Sequence, residues 1–99
     1  MANIEITKTE SGSKGLFIAE VEGESAKGEL TFSRISEALV IADHTGVPDA
    51  LAGKGVGKAL VNYLIEDARA NNYRIVPLCP FVRAQSLKHP EWDDVIVRE

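Results

Sequence analysis

The 99-residue sequence predicts an α+β fold with a mixed sheet and the element order ββββαβα. Three observations carry this. Apolar residues recur with period two through the first half, turn-forming stretches cut that half into short runs, and after residue 55 the period lengthens to that of a helix. Ile4 to Lys8 alternate as IEITK, ESGSKG supplies turn residues, and LFIAEVE completes a hairpin. GESAKG then leads into ELTFSRI, with Leu30 and Phe32 on one face. In SEALVIADHT the unbroken run Leu39, Val40, Ile41, Ala42 predicts a strand buried on both faces. These four strands form an antiparallel meander.

From Val56 to Asn71 apolar residues fall at 56, 60, 61, 64, 65 and 68, one helical face, and Asn71 and Asn72 suit its end. YRIVPLC reads as a short fifth strand and Phe81 to Lys88 as a second helix with Pro80 in its first turn, stopped by His89 and Pro90. Strand four, helix and strand five thus make a βαβ crossover, with the last two strands parallel.

Composition narrows the function. The chain is expected to be one domain, residues 1–99, with a single core. A net charge of -4 argues against nucleic-acid binding, which needs an excess of Lys and Arg over one face. The opening MANIEITKTE lacks the basic and apolar parts of a signal peptide, and no run reaches the length of a membrane span, so a cytoplasmic location and no membrane partner are expected. One cysteine, Cys79, excludes an internal disulfide and a zinc site of several cysteines, and no metal is expected.

The segment HTGVPDALAGKGVGKALV, residues 44–61, carries Gly53, Gly55 and Gly57 with Lys54 and Lys58 among them. Glycines before a helix are often only a turn. Here two lysines occupy the helix start, where the dipole favours Asp or Glu, and no acid in that window compensates them. Alternate glycines also let backbone N–H groups approach an anion closely. A Walker loop is excluded because Ala59 stands where Ser or Thr would hold magnesium and Ala52 replaces the leading glycine. The dinucleotide pattern G-x-G-x-x-G also fails, with Lys58 or Leu60 at its last position.

With HTGVP at 44–48, GKGVG at 53–57, VPLCPFV at 76–82 and HPEW at 89–92, the chain resembles the GNAT acetyltransferase superfamily, and within it the small single-domain acetyl-CoA-binding subgroup. The resemblance implies a GNAT-like sheet and an N-acetyltransferase that moves an acetyl group from acetyl-CoA, its co-substrate, to an unidentified amine. It implies that N–H groups around Val56 to Lys58 cradle the coenzyme A pyrophosphate and that the pantetheine arm lies between strands four and five. The cofactor-binding set is then Gly53, Lys54, Gly55, Val56, Gly57 and Lys58, with Val47 and Pro80. Two positions depart from the pattern: Ala52 replaces the Arg or Gln that opens the loop, and Gln85 stands where the second helix often carries a tyrosine.

Cys79 ends the fifth strand just before a helix, and His44 ends the fourth, so both are expected at one edge of the sheet. They are the candidate catalytic pair, either as thiolate and base or as acid and base for direct transfer. Against this stand a buried, merely packed Cys79 and a His44 that holds a turn. His89 reads as a helix stop, Trp92 and Phe81 as packing, and Glu37 and Asp43 as solvated carboxylates. The alternative function is a non-catalytic acyl-CoA sensor or carrier; a weaker one is a module for another phosphate.

Overall fold

The computed structural model describes residues 3–98. Strands β1 (Ile4–Ser11), β2 (Lys14–Val21), β3 (Lys27–Ser36) and β4 (Leu39–Gly46) form the antiparallel meander. Helix α1 (Val56–Asn71) then leads to β5 (Arg74–Pro77), which lies parallel to β4, and helix α2 (Pro80–Leu87) follows. The sheet order is β1-β2-β3-β4-β5, with short 3-10 turns at Asp49–Leu51 and Pro90–Trp92. The first hairpin is tighter than ESGSKG suggests: Ser11 pairs with Lys14, and Gly12 at φ +61° turns the chain in two residues.

The inner face of the sheet supplies Phe17, Ala19, Leu30, Phe32, Val40, Ala42 and Ile75, and α1 lays Val56, Leu60, Val61, Leu64, Ile65 and Ala68 onto it. At about 25 cal/mol per Å² of apolar surface removed from water, this two-layer core is the main stabilising contribution. The expectation that β4 is buried on both faces needs correction. Val40 and Ala42 are fully buried, but Leu39 and Ile41 are only half-buried, because α1 covers one face and the other remains partly open. Asn72 ends α1 in the left-handed conformation (φ 57°), its N–H donating to Ala68 O.

The C-terminal end of α1 is tied to the sheet by a polar cluster. Tyr73, 2% exposed, donates its hydroxyl to Asp67 Oδ2 at 2.6 Å, and Lys8 Nζ lies 2.7 Å from the same oxygen. Arg34 holds Glu10 through two hydrogen bonds of 3.1 and 2.8 Å and sits over the Tyr73 ring. Burial first, and then the Asp67 carboxylate, push the Tyr73 hydroxyl well above the ordinary phenol range.

The fold therefore favours neutral Tyr73. The stability this contributes is complete below about pH 10, the ordinary phenol value, and declines as pH rises beyond it. Tyr73→Phe is expected to lower stability by about 1 kcal/mol at neutral pH and to flatten the decline above pH 10, as measured by urea denaturation across pH.

Candidate functional site

The site is built at the carboxyl ends of the two parallel strands. Leu39 to Ala42 of β4 pair with Arg74 to Pro77 of β5, and there the parallel ladder stops. One further link, Cys79 N–H to Ala42 O at 2.8 Å, carries the chain toward α2. β4 itself runs on to Gly46, paired only with β3. Its far edge thus faces the gap with no strand partner, and an extended ligand can pair there without an enclosed cavity. Two hollows lie away from this gap. One of about 320 Å³ sits between α2 and the C-terminal segment, and a shallow groove crosses the open sheet face over Leu16 and Thr31.

A bulge decides which side chains reach the gap. Phe32 is opposite Ala42, Thr31 is opposite His44 and Leu30 is opposite Thr45, so Asp43 is the extra residue. Past it the alternation of side chains reverses. Thr45 shares the inner face with buried Leu30, whereas His44 shares the outer face with Thr31. Thr45 Oγ1 lies 3.4 Å from Cys79 Sγ, and Cys79 is 3% exposed. His44 is exposed, with Nε2 near Gly46, and no hydrogen bond joins it to Cys79. His44 lies near the end of β4, but β5 stops at Pro77, so Cys79 falls two residues beyond the strand as the N-cap of α2; the structure brings it together with Thr45 and turns His44 to the other face. Asp43 accepts a hydrogen bond from Ser33 Oγ at 2.6 Å.

The glycine loop follows, anchored by fully buried Leu51. Gly53 and Gly55 both take φ +76°, where a side chain is strained, and Gly55 is the N-cap of α1. Gly57 is glycine for a different reason. A Cβ there would meet the Phe81 ring at 2.9 Å, so this position lets the start of α2 close onto the start of α1. The first intrahelical bond is Ala59 N–H to Gly55 O, leaving the N–H groups of Val56, Gly57 and Lys58 without an acceptor among the described residues. No acid occupies the first turn. Lys58 is exposed and unpaired among the described residues, but Lys54 lies 3.9 Å from Glu24, a compensating acid that only the fold brings near.

Helix α2 repeats the pattern. Cys79 is its N-cap and makes no side-chain cap hydrogen bond, Pro80 has no N–H, and no acid lies in the first turn. The N–H groups of Phe81 and Val82 have no acceptor among the described residues. Two helix N-termini therefore meet at one end of the sheet, both favouring negative charge and neither supplied with it. Val47, just past β4, and Pro80, opening α2, are both exposed. Ala52 is exposed beside the loop, and Gln85 is buried in the last turn of α2. In the HPEW block His89 stacks on Trp92 with centroids 4.1 Å apart and lies 2.8 Å from Glu91, while Arg98 reaches the Ser86 and His89 carbonyls. That block is tied to the C-terminal segment through Arg98. Thr45 is the contact that sequence reasoning missed; its signal was its place beside His44, hidden by the bulge.

The model of the GCN5-related N-acetyltransferase family matches residues 16–95, and the chain belongs to that family. Among solved structures it is similar to an NMR structure of a GCN5-like protein from Staphylococcus aureus to which N-acetyltransferase activity has been ascribed. The identity is 33%, the TM-score 0.71, and the match covers 100% of this chain and 93% of that one. No curated protein matches. No helix among the described residues is long and apolar enough to cross a membrane.

Two substitutions separate the reasons for the glycines. Gly55→Ala is expected to lower stability by about 1 kcal/mol through backbone strain, while Gly55→Asn, which tolerates that conformation, loses less. Gly57→Ala instead displaces the Phe81 ring, and the sign is altered aromatic NMR shifts of Phe81 with the α1 backbone unchanged.

Proposed function

We propose that the protein binds acetyl-CoA along the free edge of β4, with its pyrophosphate on the N-terminus of α1, and transfers the acetyl group to an amine. The observation that carries this reading is the start of α1: three N–H groups without acceptors, no acid in the first turn, and an exposed lysine, at the point where two parallel strands part. Gly53 and Gly55 shape the approach to those donors, Lys54 and Lys58 supply charge, and Val47 and Pro80 flank the arm. The missing side chain at Ala52 leaves phosphate binding to the backbone.

The separation of His44 from Cys79 favours direct transfer over a thiolate–imidazole pair. In this reading the amine nitrogen attacks the thioester carbonyl carbon. The C–N bond forms, the C–S bond breaks, His44 takes the proton from nitrogen, and the Cys79 thiol gives its proton to the departing coenzyme A sulfur. Solvent then returns a proton to Cys79 and removes one from His44. With Gln85 where the family pattern often has a tyrosine, this reading gives the acid role to the thiol.

Saturating acetyl-CoA is expected to raise the melting temperature by about 10 to 20 °C, since a ligand at about 100 times its Kd stabilises the native state by about 2.7 kcal/mol. Turnover with a panel of amines falls at least about tenfold in Cys79→Ala and His44→Ala, with the thermal shift retained. An absent thermal shift overturns the binding step, and equal stabilisation by ATP points to a general phosphate module. The buried Cys79 and the absent tyrosine keep a second reading in play, a non-catalytic acyl-CoA sensor; binding with neither turnover nor label on any residue supports it. Stable label on Cys79 supports catalysis but replaces direct transfer with a covalent route.

A further inference from the structure

We propose that Thr45, rather than His44, positions and tunes the Cys79 thiol. This rests on the reading that Cys79 acts in acetyl transfer, but it concerns the sulfur alone and is testable without acetyl-CoA. The sulfur is nearly enclosed, with Cys79 3% exposed, so water cannot solvate a charge on it fully and a protein donor must do so. At a helix N-cap that donor is ordinarily a backbone N–H of the first turn. Here Pro80 removes one N–H, and Cys79 makes no side-chain cap hydrogen bond. Thr45 Oγ1, at 3.4 Å, is the only hydrogen-bond partner of Sγ among the described residues.

A hydroxyl suits both forms of the thiol. It accepts from S–H when the thiol is protonated and rotates to donate once the proton has left. Its place is set by the bulge at Asp43, which turns residue 45 inward beside Leu30 and residue 44 outward beside Thr31. Without that extra residue the alternation would present position 44 to the inner face. Thr45 is thus a positioning residue, and it makes Cys79 a better proton donor by stabilising the sulfur after the proton departs.

The chain has one cysteine, so alkylation by iodoacetamide reports Cys79 without ambiguity. The rate is measured across pH on the full chain for the parent, Thr45→Val, Thr45→Ser and His44→Ala. Thr45→Val is expected to raise the pH of half-maximal rate by about 0.5 to 1 unit, the margin by which a hydrogen bond to a charged group exceeds one to a neutral group. Thr45→Ser retains the parent midpoint, and so does His44→Ala. A Thr45→Val rate changed by one factor at every pH, with the midpoint fixed, means that Thr45 only packs against the sulfur and overturns the proposal. So does a shift in His44→Ala equal to that in Thr45→Val. If Thr45→Val does not fold, Thr45→Ala gives the same comparison without added bulk. Loss of the transfer reading shows separately, as an unchanged amine turnover in Cys79→Ala.

Discussion

Everything at the site depends on a parallel pairing that ends early. β4 and β5 share four residue pairs, from Leu39 and Arg74 to Ala42 and Pro77, and then part. Because the two strands run the same way, the helices that follow them both begin at the same end of the sheet, and their N-termini meet where Phe81 lies against Gly57. Because the pairing stops, the remainder of β4 keeps a free backbone edge beside those helix starts. An antiparallel β5 would have sent α2 away from α1 and left the glycine loop isolated.

The bulge adds a second constraint to the first. One extra residue, Asp43, changes which face each later side chain serves, so adjacent residues of β4 address opposite sides of the sheet. Thr45 joins Cys79 on the inner side, beneath the start of α2, while His44 faces the open side. Cys79 and His44 are then separated by the strand itself rather than joined in a dyad. The polar cluster of Lys8, Glu10, Arg34, Asp67 and Tyr73 lies at the other end of α1, where it holds the helix against the sheet.

The element order was legible because it rests on local periods: alternation in β1 to β3, the stripe from Val56 to Ala68, and punctuation by Gly12, Asn72 and Pro80. The family was legible for a different reason, four short blocks in order. What eluded sequence reasoning was non-local. Leu39 to Ala42 form an apolar run, but whether both faces are covered depends on how many layers the chain can build, and it builds two. The compensation of Lys54 by Glu24 requires the β2–β3 turn to approach the loop. A bulge leaves no mark in ADHT, since a single inserted residue simply shifts the alternation, so His44 rather than Thr45 stood out as the partner of Cys79. Gly57 looked like its neighbours Gly53 and Gly55, although one is required by packing and the others by backbone conformation.

The departures from the family pattern have structural settings. Ala52 is exposed beside a loop whose donors are backbone groups, so the missing side chain leaves those donors intact. Gln85 is buried in α2 and offers no acidic hydroxyl, while Cys79 lies against Thr45 on the inner face. One corner, the joined starts of α1 and α2 with the free edge of β4, is where we propose that acetyl-CoA binds. Titration of the isotope-labelled chain with acetyl-CoA, followed through its backbone amide NMR signals, tests it most directly. The largest shifts are expected on Val56, Gly57 and Lys58, with smaller ones on Phe81, Val82 and Thr45; shifts concentrated instead around Leu78 and Leu87, at the hollow beside the C-terminal segment, would rule out this placement.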